Sequence, residues 1–237
     1  MINYFQLFLE VENLEFNLSP QLCATIPNFK IGLINYRNIE IGAAPQMLKG
    51  RLQLFQESLF FELEDKNVTD YEGIREWRAI FKKTGKDPNR YRPSVEALYR
   101  RVKKQQFLHS VNSATDLNNF FSLQYEIPLG IYDLDQLSGD VSMRLGAEGE
   151  EYSGLNGRVN NLHNLILTAD EQGPFGSPFV DSNRSAVSES TKNALQIVYL
   201  KPSMDTAEAE KMVHSLMNMF TQIHGGEAHF KVIEGNY

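Results

Sequence analysis

Chemistry in this sequence has to come from a short inventory: five histidines, one cysteine and one glycine-rich stretch. His109, His163, His214, His224 and His229 offer no pair four apart on a helix, and there is no CxxC, so a metal site is not expected. His224 and His229 are separated by Gly225 and Gly226, which breaks any shared helical face. Cys23 sits in PQLCATIP, an apolar setting that suits an inert buried thiol better than a nucleophile beside a base. A GxSxG elbow is absent, and GPFGSP lacks the Gly-Lys-Ser/Thr ending of a phosphate loop. No cofactor is implied. The residue types alone give no independent catalytic signature.

The elements that would position a site read as follows. NYFQLFLEVENLEFNL has the mixture of one or two strands, and FKIGLINYRNIEIG that of a strand pair. Residues 43–64 look helical. DYEGIREWRAIFKKTGK places Ile74, Trp77 and Phe81 on one helical face and stops at Gly85. Pro93 and Ser94 open a further helix with Val95, Leu98 and Val102 on one side. ATDLNNFFSLQYEIP is a helix ending before Pro128. DVSMRLG, NLHNLILTAD, NALQIVYLKP and HFKVIE read as strands, and GPFGSPFVDSNRS as a loop. Asp205 and Glu208 start a last helix that runs to Gly225, its methionines (Met212, Met217, Met219) packing in or beside the core. Helices and strands interleave without a regular βαβ period, which gives an α+β, layered α/β class, in one composite domain over residues 1–237.

With 42% hydrophobic residues, including 15 Phe and 10 Tyr, the chain of 237 can build a sizeable core. The single cysteine fits a reducing compartment. No run of about 18 apolar residues occurs, and Glu10 and Glu12 follow a start without a basic leader. A soluble, cytoplasmic protein with no membrane partner is expected.

Charge is unevenly placed. The whole carries a formal −7, yet Arg75 to Lys104 holds 11 basic residues against three acidic ones. Such a segment is either a solvated helix face or the footprint of an anionic partner.

One long stretch narrows the choice. ATDLNNFFSLQYEIPLGIYDLDQLSGDVSMRLGAEGEEY resembles the editing domain of the phenylalanyl-tRNA synthetase beta subunit. The resemblance rests on Asp116, Asn119, Pro128, Tyr132, Asp133, Gly139, Arg144, Gly149 and Glu150, which keep that family's order, and continues through LILTAD, GPFGS and SAVSESTKNALQIVY. It is clearest over residues 70–200. Upstream, the WR…G…P…YRPSVEALYRR pattern looks like stand-alone relatives of the domain. The resemblance implies an editing-domain fold with an unusual β-sandwich and flanking helices, shared with part of a tRNA-lysidine synthetase. It also implies hydrolysis of tyrosine wrongly attached to the tRNA for phenylalanine. A complete ligase is not implied, because no ATP-binding catalytic module fits in 237 residues.

Carried over residue by residue, the resemblance implies a substrate pocket from Asn119, Pro128, Gly130, Asp133, Arg144, Gly173, Gly176 and Asn183, with Asn119 the candidate to hold the amino acid or a hydrolytic water. Arg90, Arg92, Arg100, Arg101, Lys103 and Lys104 are the candidates for tRNA phosphates, unless Arg101 is buried in a structural ion pair. Two family positions are altered. Bacterial synthetases carry a histidine where this chain has Gly130. Their hydroxyl-reading glutamate falls at Pro178 aligned from one side and at Asn183 from the other, with Asp181 the nearest carboxylate. Removing a proton acceptor is worth ~100-fold or more, and losing a hydroxyl reader forfeits discrimination of about 10⁴. Asp133 and Arg144 have a structural alternative, an ion pair with each other. The expected partner is tRNA or aminoacyl-tRNA and not DNA. Two activities follow: deacylation of misacylated tRNA in trans, or binding of tRNA or an aminoacyl-like molecule without catalysis.

Overall fold

The computed structural model of the protein describes residues 15–235. At its centre is a four-stranded antiparallel sheet in the order β10 (Glu227–Glu234), β2 (Lys30–Arg37), β9 (Ala194–Tyr199), β3 (Leu129–Asp133). Alternation sets its two faces. Ile34 and Tyr36 of β2, with Ala194 and Val198 of β9, belong to one core cluster; Ile31 and Leu33, with Leu195, Ile197 and Tyr199, belong to another. Because β9 is covered on both sides, all six of its residues are buried. This is why β9 carries apolar residues on both faces, Gln196 being the one polar exception.

Helices cover the first face. They are α2 (Gln46–Asp65), α4 (Ser94–Lys103), α5 (Ser113–Tyr125) and α6 (Thr206–His224), contributing Leu52, Val102, Leu117 and Phe220 among others. A buried polar chain fixes α5 to this sheet: the Tyr36 hydroxyl donates to Gln196 Oε1 at 2.7 Å, and Gln196 Nε2 donates to Asn118 Oδ1. The second face meets another sheet, β1 (Phe16–Leu18), β4 (Val141–Leu145), β7 (Ile166–Asp170) and β8 (Gly173–Gly176), with β1 parallel to β4. Two helices, α1 (Pro20–Thr25) and α3 (Glu72–Lys83), add Leu22, Ile26, Trp77 and Phe81 to this second core. A small hairpin, β5 (Glu151–Ser153) with β6 (Val159–Asn161), forms its own two-stranded sheet and sends Tyr152 into the second core. The class is α+β, a sheet between a helical layer and a second sheet.

Local signals explain most boundaries. Asp205 accepts from the Glu208 amide at 2.9 Å to start α6. Gly85, at φ +87°, ends α3. Asn112 caps α5 by accepting from the Thr115 amide at 2.8 Å, and Glu126 turns it left-handed at φ 60°. The structure corrects two expectations. FKIGLINYRNIEIG is one eight-residue strand, β2, and not a pair. The stretch GPFG is strand β8 before the loop proper begins. Of NYFQLFLEVENLEFNL, only β1 falls within the described residues, and the rest of that expectation lies outside them.

Candidate substrate pocket and nucleic-acid surface

Gly130 and Tyr132 are two apart on β3, so both face the second sheet. The Tyr132 ring folds back along the strand. A Cβ on Gly130 would collide with the Tyr132 hydroxyl, and so would a Cβ on Gly176 of the facing strand β8. The space between these glycines is therefore occupied by the chain's own tyrosine. Tyr132 is fully buried and packs edge-on against Phe175 at 4.9 Å.

The hydroxyl is held by a polar cluster. It donates to Asp181 Oδ1 at 2.8 Å and lies 3.5 Å from the Tyr199 hydroxyl, which lies 3.5 Å from Thr168 Oγ1. Asp181 Oδ1 also accepts the Ser177 amide at 3.1 Å. Tyr152 closes one side, its hydroxyl donating to the Val180 carbonyl and standing 3.1 Å from Ser177 Oγ. Asp181 as a residue is half-buried, but its carboxyl group, the part that titrates, is enclosed. Burial pushes that carboxyl up to about 7, against the opposing hydrogen bonds from Tyr132 and Ser177. Burial and the neighbouring Asp181 carboxyl raise Tyr132 well above the ordinary phenol range.

The other expected pocket residues disperse. Asp133 caps a one-turn 3₁₀ helix by accepting from the Asp135 amide at 3.0 Å, and takes a hydrogen bond from Thr191 Oγ1 at 2.6 Å. Arg144 makes a two-pronged pair with Glu150 at 2.7 and 2.6 Å. That hydrogen bonding holds the Glu150 carboxyl below its usual range. The expected alternative of an Asp133–Arg144 pair is thus corrected: each is structural, with a different partner. Asn119 is half-buried on α5, which covers the opposite face of the central sheet. Pro128 is buried, and its carbonyl accepts the Tyr199 amide at 3.2 Å. Gly173, at φ +116°, gives its carbonyl to Arg184 Nη2 at 3.0 Å. Arg184 also pairs doubly with Asp170, which fixes the end of the 177–184 loop. Asn183 is exposed, and its amide bonds the Ser153 carbonyl at 3.0 Å. Gly130 and Gly176 come together; Asn119, Asp133, Arg144 and Asn183 do not join them.

The basic segment has its own internal logic. Glu96, fully buried, receives Arg78 Nη1 at 2.9 Å and Arg100 Nε at 2.8 Å. Arg78 Nη2 also reaches Asn89 Oδ1 at 2.8 Å, which folds the 87–92 turn onto α3. Lys86 lies 4.1 Å from the centre of the Tyr91 ring. Arg100 is therefore committed to an ion pair, and Lys103 donates to the Lys66 carbonyl at 2.8 Å. Arg101, by contrast, is exposed and enters no ion pair among the described residues, so its structural alternative is corrected. Arg75, Lys82, Lys83, Arg90, Arg92, Arg101, Lys103 and Lys104 are all exposed. Glu96 ties Arg78 of α3 to Arg100 of α4 through one buried carboxylate.

This surface adjoins the tyrosine cluster. The Ser94 amide donates to the Pro178 carbonyl at 2.8 Å, and the Tyr91 ring packs against Phe179 at 5.6 Å. The same loop supplies Asp181 on its inner side. Sequence reasoning singled out both regions but missed their junction and the role of Tyr132. The available signal was Gly-x-Tyr on a strand, which places an aromatic ring over a bare Cα.

A cleft of about 580 Å³ lies elsewhere, lined by Gly42, Ser113, His224 and Gly226 among others. His224 Nδ1 donates to the Phe220 carbonyl and Nε2 meets Ser113 Oγ, each at 2.8 Å, tying α5 to α6. Burial lowers its pKa below the ordinary imidazole value, against the opposing hydrogen bond to Phe220. Among the described residues no group of three His, Cys, Asp or Glu is placed to hold a metal, and no helix is long and apolar enough to cross a membrane.

Comparison with known proteins now defines the class. The family model of the B3/4 domain matches residues 76–222, and the chain belongs to that family. The uncharacterised protein YhzB of Bacillus subtilis (strain 168) is 39% identical over 191 residues, which cover 81% of this chain and 86% of that protein. The phenylalanine–tRNA ligase beta subunit of Paramagnetospirillum magneticum is 26% identical over 184 residues, 76% of this chain but 21% of the ligase subunit. This chain thus spans about a fifth of that relative. A crystal structure of an N-terminal fragment of the Pyrococcus horikoshii phenylalanyl-tRNA synthetase beta subunit aligns over 92% of this chain and 50% of the fragment, at 14% identity and a TM-score of 0.46.

Proposed function

We propose that the protein is an editing-like tRNA-binding module of the B3/4 family that docks RNA phosphates on α3, the 87–92 turn and α4, and that does not hydrolyse aminoacyl esters while Tyr132 fills the pocket. The carrying observation is the junction of the exposed cations with the 177–184 loop through Ser94–Pro178 and Tyr91–Phe179. An acceptor end bound by those cations would be delivered to the loop that holds Asp181. Ester hydrolysis needs room for the aminoacyl group, a placed water and a stabilised oxyanion. The ring between Gly130 and Gly176 takes that room.

Binding of uncharged tRNA, followed by fluorescence anisotropy across a salt series, tests the first part. Affinity should fall linearly in logarithmic terms with salt, and duplex DNA of equal length should bind more weakly. No binding at low salt sinks the proposal. The second part is tested by mixing the protein with a panel of mischarged tRNAs, where release of any amino acid above the buffer rate refutes it. One observation favours that deacylase outcome: the Asp181 carboxyl, at about 7, is a proton acceptor matched to neutral pH beside the position where the family's histidine is missing.

A further inference from the structure

Helix α2 carries an exposed apolar stripe. Met47, Leu54 and Phe61 are 58%, 68% and 64% exposed. They stand seven residues apart, so they line one side of the helix with the slow drift of a heptad. The other side is committed to the core through Leu48, Leu52, Leu59 and Leu63. On the stripe lies Gly50, in a helix interior where glycine is unfavourable. A Cβ there would meet nothing within 4 Å, so no contact in its own chain calls for glycine. The bare Cα leaves room for close approach of another backbone.

The charges along α2 are polarised. Lys49 and Arg51 lie in its first half; Glu57, Glu62, Glu64 and Asp65 lie in its second. Arg51 is exposed and outside the ion pairs of the described residues, and Gln53 Nε2 holds Glu57 Oε1 at 2.6 Å along the stripe. A helix of that polarity is complementary to its own reverse.

We propose that α2 is the interface of a two-fold homodimer in which two copies pack antiparallel with Leu54 on the axis. Met47 then faces Phe61 of the second copy, Gly50 faces Ser58, and Arg51 faces Glu57. One patch satisfies both partners, as an isologous contact requires. The 20 residues of α2 span about 30 Å, which makes a compact, reversible interface. The stripe lies on the side of α2 away from the core and shares no residue with the proposed tRNA-binding surface on α3 and α4.

Sedimentation equilibrium of the full chain tests this. The wild type should show a monomer–dimer equilibrium that shifts with concentration. Leu54→Glu should weaken it by at least ~10-fold, because two like charges meet on the axis, while circular dichroism and the melting curve stay native. Met47→Glu is a second variant should Leu54→Glu misfold. Arg51→Glu and Glu57→Arg should each weaken the dimer, and the two together should restore it. A parallel pairing sets Arg51 against Arg51 and gives no such rescue. A wild type that is monomeric at every concentration, Leu54→Glu and Met47→Glu variants that dimerise normally, or a double reversal without recovery each overturn the proposal.

Discussion

The 177–184 loop separates two regions with opposite character. On its inner side the space is taken by Tyr132, whose hydroxyl is met by Asp181 and flanked by Tyr199. On its outer side eight basic side chains between Arg75 and Lys104 stand exposed. The inner region is complete without a ligand: its polar atoms find partners within the chain, as buried polar groups must. The outer region holds like charges that repel, and of the three carboxylates in the segment Glu96 is the one buried beneath them. The difference teaches which side of the loop can change at low cost. Substitutions inside should read out as stability, and substitutions outside as affinity.

The sharpest way to break that comparison is to empty the inner side. Tyr132→Ala removes a fully buried ring and should destabilise by about 3–5 kcal/mol in urea denaturation. A cost below about 1 kcal/mol would mean the ring does not pack between Gly130 and Gly176 as described. The variant also opens room beside Asp181, so it belongs in the mischarged-tRNA assay. Next in size is Glu96→Gln, at the boundary of the two regions. It strands Arg78 and Arg100 above a buried amide and should cost about 3 kcal/mol. A loss under about 1 kcal/mol would mark the pair as an ordinary surface contact.

How much of this was legible in the sequence depends on the range of the interaction. The helical face of Ile74, Trp77 and Phe81, the cap at Asp205 and the stop at Gly85 are local, and each is where periodicity and capping put it. The family order of Asp116 through Glu150 pointed to the B3/4 class. The site was not legible, because it is assembled by register. Tyr132 meets Asp181 across 49 residues of chain, and only the pairing of β3 with β9 and the facing of β8 decide that it does. Glu96 and Arg100 stand four apart on one helix, so their pairing is readable from spacing, and Arg101 is not so placed. That Glu96 is buried and shared with Arg78, 18 residues upstream of it, is set by the fold.

Acidity offers a finer test of the inner region. The Asp181 carboxyl is raised to about 7, against about 3.9 in an unfolded chain. Between those values the folded protein holds a proton that the unfolded chain has lost. Its contribution to stability is therefore full at low pH, falls as pH rises toward 7, and levels off above. Asp181→Asn removes the titration. The stability of wild type minus variant, from denaturation at pH 5 and pH 8, should drop by about 2 kcal/mol. A difference that is flat with pH would place the carboxyl in water.

The smallest expected change in stability comes from the outer region, and there it accompanies the clearest change in binding. Arg92, Arg101 and Lys104 are exposed, so reversing all three to Glu should move stability by no more than about 0.5 kcal/mol. If these cations meet phosphates, the same triple variant should lose more than ~10-fold in tRNA affinity, and its logarithmic salt slope should shrink by about 2–3 units. Reversing Lys192, Lys211 and Lys231, which are exposed but lie outside that segment, changes the net charge by the same amount and controls for it. Equal losses from both variants would show that RNA responds to the overall charge of the protein and not to this surface. A loss confined to the first variant ties binding to the side of the loop that the chain itself leaves uncompensated.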